Sequence, residues 1–246
     1  MLGIDIGGTG VKGAPVDLVS GTLTKERIRI ETPKPSTPDA IAAVVAQIAE
    51  RFAADTGKGP IGITFPAVVK SGVTQTAANV DKAWIGCNAD ALFSQATGRD
   101  VRVINDAQAA AMAEARYGAA KGRDGIVLML TFGTGIGSGL VIDGRSVEGV
   151  EFGHLEVDGE DGEKLASANV RDELDLSWKD WAKRVDRYLN RLETVFWPDV
   201  IIVGGGVSEK ADKWVRRLTT RTPIVVAELH NDAGIVGAAM ATRTER

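Results

Sequence analysis

The chain has 246 residues, room for one large domain or two lobes of about 100 to 150 residues each, with a sizeable core. Hydrophobic residues make up 44% and charged residues 25%, which is ordinary composition for a soluble protein. The 29 Lys plus Arg against 33 Asp plus Glu leave a net charge of −4, so no global basic field points to nucleic acid or an anionic membrane, and any polyanion must be bound locally.

Met1 leads directly into a strand-like segment, with no basic n-region and long apolar h-region before it, and no apolar run reaches about 18 residues. A cytoplasmic protein is expected. Leu2 to Ile6, Gly13 to Asp17 and Lys25 to Ile30 read as a strand meander with glycine-bearing turns. Thr37, Pro38 and Asp39 then form a helix start, and Ile41, Val44, Val45, Ile48 and Phe52 mark one helical face that ends at Gly57.

Ile61 to Pro66 is a buried strand running into a loop, and Cys87, the sole cysteine, reads as a small buried hydrophobe. A lone cysteine excludes an internal disulfide and any multi-thiolate zinc site, so no zinc site is expected. Val101 to Ile104 is a strand that runs into Asn105-Asp106 and an alanine-rich helix to Tyr117. Ile126 to Leu130 and Gly139 to Ile142 make a hairpin, and Asp158 to Glu173 reads mainly as loop.

Ser177 and Asp180 make a capping box for a long helix through Phe196, stopped by Pro198. Val200 to Val203, a helix starting near Ser208, Ile224 to Val226 and an alanine-rich helix from Asn231 complete the chain. Strands, helix, strand, helix thus occur twice, and a glycine loop opens each half, a weak internal duplication.

Three glycine runs follow strand-like segments: Asp5-Ile6-Gly7-Gly8-Thr9-Gly10-Val11-Lys12, Thr131 to Gly139 with Gly133, Thr134 and Gly135, and Gly204-Gly205-Gly206. Without a Cβ, glycine lets backbone N–H groups approach phosphate oxygens, while Thr9, Thr131 and Thr134 add hydroxyls and Asp5 could hold a divalent cation. Each run alone could be an ordinary tight turn. Lys12 could meet a phosphate as a point charge or be a solvated surface lysine. Anything the Gly204 to Gly206 turn approaches would also face the start of the following helix.

Asp106, at a strand end beside Asn105, suits a general base for a sugar hydroxyl, and the pair equally suits the cap of the next helix. Both roles can coexist. Glu151 and His154, three residues apart after a glycine-rich turn, suit a hydroxyl-rich ligand, although a histidine there could equally be structural or a metal ligand. His230 carries no assignment.

In order and spacing, Asp5 to Thr9, Asn105-Asp106, Thr131 to Gly139, Glu151-x-Gly-His154 and Gly204 to Gly206 resemble the ROK sugar kinases of the actin and hexokinase superfamily, over residues 2 to 240. The stretch from Gly3 to Asp17, Ala166-Ser167-Ala168-x-Val170-Arg171 and Arg221 to Val225 are most similar to the branch containing actinobacterial polyphosphate glucokinases and polyphosphate/ATP glucomannokinase. The resemblance implies an α/β fold with two lobes of ribonuclease-H-like topology and a cleft between them: 1–106, completed by a C-terminal helix 231–246, and 107–230. A homodimer is implied too.

By position, the resemblance makes Asp106 the base for the sugar 6-hydroxyl and Asn105, Glu151 and His154 its hydroxyl ligands. Many relatives have a cysteine-rich zinc loop followed by a sugar-contacting glutamate and, four residues on, a serine. This chain lacks those cysteines but keeps Glu163-x-x-x-Ser167, so Glu163 is the expected contact, held by something other than zinc. Mg²⁺ near Asp5, directly or through water, would bridge phosphates cradled by Gly7 to Thr9 and Gly133 to Gly135.

The expected reaction moves the terminal phosphoryl of polyphosphate to glucose, with ATP as alternative or additional donor, and an ATP-dependent glucokinase or a glucomannokinase is the alternative reading. Lys12, Lys70, Lys82 and Arg171 are candidates for a cationic track. A sugar-sensing ROK regulator is the competing class, but the recognition helix of such a regulator is missing from this sequence.

Overall fold

The computed structural model describes residues 1–78 and 80–243. The chain divides into two compact units, Met1–Ala113 with the C-terminal segment from Asn231, and Glu114–His230. The sequence reading places the first division at 106/107; here it falls inside a continuous helix, with no linker to mark it.

The first unit begins with β1 (Leu2–Ile6), β2 (Gly10–Asp17), β3 (Thr22–Leu23) and β4 (Ile28–Glu31). It continues through α1 (Pro38–Arg51), α2 (Ala53–Thr56), β5 (Ile61–Phe65), a small hairpin of β6 (Val69–Lys70) and β7 (Val73–Thr74), α3 (Ala89–Thr97), β8 (Val101–Asn105) and α4 (Asp106–Tyr117). Its sheet runs β3-β2-β1-β5-β8 with β4 also on β2; β1 is antiparallel to β2 and parallel to β5.

Side chains alternate along β1. Leu2, Ile4 and Ile6 join Ile41, Val45 and Ile48 of α1 in a buried aliphatic core. Gly3 and Asp5 face the other way, toward the C-terminal helix Ala233–Ala241. A Cβ on Gly3 would lie 2.0 Å from Ile235 O, and one on Gly62 1.6 Å from Ala238 O. This helix of small residues seats its backbone directly on the sheet, which is why nearly all of it is buried and no face is polar.

Several sequence expectations change here. β2 starts at Gly10 rather than Gly13, because the Gly7 N–H donates to Gly10 O at 3.0 Å and closes the turn within Gly7 to Thr9. Thr37 caps α1 as expected, but the helix breaks at Phe52 (φ −106°, ψ 16°) before α2 and Gly57. Helix α3, capped by Asn88 Oδ1 on the Ala91 N–H and ended by left-handed Gly98, was not anticipated. The C-terminal helix spans Ala233–Ala241, with His230–Asp232 a 3-10 turn before it; positions 244–246 of the expected 231–246 helix lie outside the described residues.

The second unit contains β9 (Ile126–Phe132), β10 (Ile136–Ile142), β11 (Arg145–Val147), β12 (Glu156–Val157), β13 (Glu160–Asp161), α5 (Gly162–Ala166), α6 (Ala168–Glu173), α7 (Trp178–Val195), β14 (Val200–Gly204) and β15 (Ile224–Val226). Its main sheet runs β11-β10-β9-β14-β15, antiparallel in the β9–β11 meander and parallel through β9, β14 and β15. That repeats the plan of the first unit.

The core of this unit is aromatic. Phe132 meets Trp181 and Trp214 edge-on at 5.9 and 5.8 Å, and each buried indole N–H has a carbonyl partner, Ser167 O at 3.0 Å and Val207 O at 3.1 Å.

Asp158 to Glu173 is not mainly loop: it holds β13, α5 and α6, with Ser167 Oγ capping α6 through the Val170 N–H and Gly162 fitted beneath the Tyr188 ring. The helix expected near Ser208 is a 3-10 segment, Gly206–Lys213, kinked at Lys210, so no regular helix N-terminus follows the glycine triplet.

Candidate active site

In the first unit, strand register sets the charges. Thr64 of β5, Asp5 of β1, Lys12 of β2 and Arg29 of β4 are successive cross-strand partners, so their side chains share one sheet face. The Thr64 hydroxyl donates to Asp5 Oδ1 at 2.7 Å, and Lys12 Nζ lies 3.9 Å from Asp5 Oδ2. Lys12 is therefore turned toward Asp5 and only partly exposed.

Gly7 to Thr9 form the turn, with the Thr32 hydroxyl on Gly7 O at 2.6 Å and the Arg29 guanidinium on Thr9 O at 2.6 Å. Among the described residues, the N–H groups of Gly8 and Thr9 have no protein acceptor, which leaves them for an anion.

Asn105 and Asp106 differ in their contacts. Asn105 Oδ1 accepts the Gln108 N–H at 3.0 Å, and its amide donates to Ala67 O at 3.1 Å, so Asn105 is the helix cap. Asp106, in the first helical turn, is exposed, with Oδ1 accepting the Ala107 N–H at 2.8 Å. The amide takes the structural duty and the carboxylate stays at the surface.

In the second unit the loop read as Thr131 to Gly139 narrows to Gly133, Thr134 and Gly135, with Thr131 in β9 and Ile136 to Gly139 in β10. The Gly133 N–H donates to Gly135 O at 3.0 Å, and the N–H groups of Thr134 and Gly135 have no acceptor among the described residues. Gly205 has φ 84°, and a Cβ there would sit 2.2 Å from Phe132 O, so glycine lets the Gly204 to Gly206 turn touch the end of β9.

Glu163 lies against the glycine turn. Its Oε2 accepts the Ile136 N–H at 3.3 Å and would be 2.3 Å from a Cβ on Gly135. His154 Nδ1 stands 4.0 Å from Glu163 Oε1 and 3.8 Å from Asp161 Oδ1. Glu151 directly precedes a short 3-10 turn, Phe152–His154, tied down by the Phe152 N–H on Ser138 Oγ at 2.9 Å and the Tyr188 hydroxyl on Phe152 O at 3.0 Å.

Burial pushes the Glu151 carboxyl above its ordinary value and Glu163 adds to this, while His154 opposes it. Burial also pushes the Tyr188 hydroxyl up, keeping it a donor.

The sequence reading missed Thr64, Arg29 and Asp161. The first two become visible only when strands are paired in register, and Asp161 only when the β12–β13 turn is formed. The proposed track cations act separately: Lys82 Nζ donates to Ala77 O at 2.7 Å, Arg171 pairs with Asp172 at 2.8 Å and covers the Trp178 ring, and Lys70 lies exposed on β6. No group of three or more His, Cys, Asp or Glu side chains that could hold a metal occurs among the described residues.

The profile of the ROK family matches residues 1–167, and the chain belongs to that family. It is 51% identical over 241 residues to a polyphosphate glucokinase of Mycobacterium tuberculosis (strain CDC 1551 / Oshkosh), covering 98% of this chain and 90% of that one.

Among solved structures, the inorganic polyphosphate/ATP-glucomannokinase of Arthrobacter sp. strain KM matches with a TM-score of 0.92 at 49% identity, covering 98% of this chain and 97% of that one. A ROK family glucokinase from Streptomyces griseus in complex with glucose and AMPPNP matches at 0.81 and 25% identity, covering 98% of each chain. The fold is accordingly the α/β fold of the actin and hexokinase type, with ribonuclease-H-like strand order in both units.

Proposed function

We propose that the chain transfers the terminal phosphoryl of inorganic polyphosphate to the 6-hydroxyl of glucose, giving glucose 6-phosphate, with ATP as a second donor. The observation that carries this reading is the 51% identity with a polyphosphate glucokinase over nearly the whole of both chains.

The geometry supports it. The open N–H groups at Gly8, Thr9, Thr134 and Gly135 suit phosphate oxygens, with Gly204 to Gly206 extending the second set. Asp106 takes the proton of the 6-hydroxyl as it attacks, and Asn105, Glu151, His154 and Glu163 hold the remaining hydroxyls, since each hydroxyl can both donate and accept. Positioning and charge neutralisation provide most of the rate.

Mg²⁺ fits at Asp5, because a hydrated magnesium needs only one or two carboxylates beside substrate phosphates. Asp5, 20% exposed with one oxygen held by Thr64, would hold it through water and so lower the charge on the donor. We place the enzyme in the cytoplasm as a homodimer.

Glucose phosphorylation by the purified chain, followed with polyphosphate and with ATP, tests the reading. Turnover with polyphosphate is expected, and an efficiency with ATP equal to or above that with polyphosphate would sink polyphosphate as the principal donor.

A further inference from the structure

Arg29 occupies a position that neither motif spacing nor composition marks. Its guanidinium donates to Thr9 O at 2.6 Å, and a Cβ on Gly10 would lie 2.5 Å from its Nε and 2.8 Å from its Cζ. The side chain thus lies flat on the glycine turn, over Gly10, where a Cβ would make the guanidinium shift.

Arg29 is also the cross-strand partner of Lys12, two like charges directly opposite one another, an arrangement that is unfavourable without an anion between them. The Asp5 carboxylate faces this pair, and it contacts Lys12 only at 3.9 Å. Arg27, two residues earlier, is neutralised by Asp232 at 2.6 Å. Among the described residues Arg29 has no carboxylate partner, so most of its five N–H donors face solvent beside the open Gly8 and Thr9 N–H groups.

From this geometry we infer that Arg29 is a donor-binding residue: with Lys12 it holds phosphates of an inorganic polyphosphate chain behind the one being transferred. The inference rests on the reading of the Gly7 to Thr9 turn as the donor site. A planar guanidinium can meet two oxygens of one phosphate at once, which an ammonium cannot, and successive phosphates present such oxygens repeatedly. A compact donor with few phosphates uses less of this contact.

The test compares the parent chain with Arg29→Gln and Arg29→Lys. Calorimetric titration with tripolyphosphate and with a long polyphosphate gives affinities that do not depend on turnover. Arg29→Gln is expected to weaken long-chain binding about tenfold and tripolyphosphate binding less, with Arg29→Lys between parent and Gln. In steady-state assays the KM for polyphosphate should rise with kcat and the KM for glucose within about twofold.

Affinities for both phosphates equal to the parent's would overturn the inference. So would a uniform loss with ATP, tripolyphosphate and long chains accompanied by a lower Tm, because that is the signature of a residue that only braces the Thr9 carbonyl. Failure of the parent chain to use polyphosphate at all would overturn the proposed reaction instead, and the calorimetric comparison would still decide Arg29.

Discussion

Gly7 to Thr9 and Gly133 to Gly135 each join the strands of an antiparallel hairpin, and in each the first glycine N–H donates across the turn at 3.0 Å. Their neighbours differ. Lys12 and Arg29 stand beside the first turn and Asp5 is held back by Thr64, whereas the second carries the Glu163 carboxylate directly against Gly135. The same backbone device therefore sits in a cationic setting in one unit and an anionic one in the other. Turn geometry leaves N–H groups open in both turns, while the side chains beside them differ in charge.

The cores differ as well. Small residues allow backbone contact between helix and sheet in the first unit, while interlocked aromatic rings fill the second.

The largest expected effect comes from Asp106, the one reactive carboxylate we assign to the first unit. Asp106→Asn should lower kcat for glucose phosphorylation by about 10²- to 10⁴-fold, the usual contribution of a general base. Rates within about tenfold of the parent would move the proton chemistry elsewhere.

Exchanging glycines probes the contrast between the turns. Gly135→Ala must displace the Glu163 carboxylate, since the new Cβ would lie 2.3 Å from it, whereas a Cβ on Gly8 meets nothing within 4 Å. The first change should raise the KM for glucose by about tenfold or more, the loss of one or two hydroxyl contacts, and Gly8→Ala should leave that KM and Tm unaltered. Equal glucose KM values for the two variants would show that Glu163 does not serve the sugar.

A smaller effect is expected at the fully buried Thr64. Thr64→Val removes the donor to Asp5 Oδ1 and should cost about 1–3 kcal/mol in urea-induced unfolding. It should also raise the KM for the donor. An unchanged midpoint with unchanged kinetics would mean that Asp5 is oriented by Lys12 alone.

The smallest effect is electrostatic. Because the Glu151 carboxyl is raised in the folded chain above its ordinary 4.5, its contribution to stability is complete below that value and is lost as pH rises through the folded pKa. Glu151→Gln should therefore gain on the parent in Tm as pH rises from 4.5 toward neutral, by only about 1–2 °C because Glu151 is exposed and solvent screens the effect. A Tm difference independent of pH would place Glu151 in open solvent.

Local signals carried far in this chain. The strand before each glycine turn, the Thr37 and Ser177 caps and the position of Asn105-Asp106 at a strand end all follow from residues within a few places of one another. Less legible were α3 and the α5–α6 segment. Asn88 and Gly98 did mark the ends of α3, but the polar, glycine-bearing run from Asp158 to Glu173 has short elements whose burial against α7 no periodicity reveals.

By itself, then, the sequence determined the main strands and the long helices, the glycine turns and the chemical types available at them, because propensity, capping and backbone freedom act over a turn or a strand. Tertiary structure alone decided which of Asn105 and Asp106 caps α4, that Glu163 rests on Gly135, that Thr64 and Lys12 flank Asp5, and that Arg29 lies across Gly10. Apart from the cap, those contacts join residues on different strands or turns, so their existence depends on register and close backbone approach, which no neighbouring residue along the chain encodes.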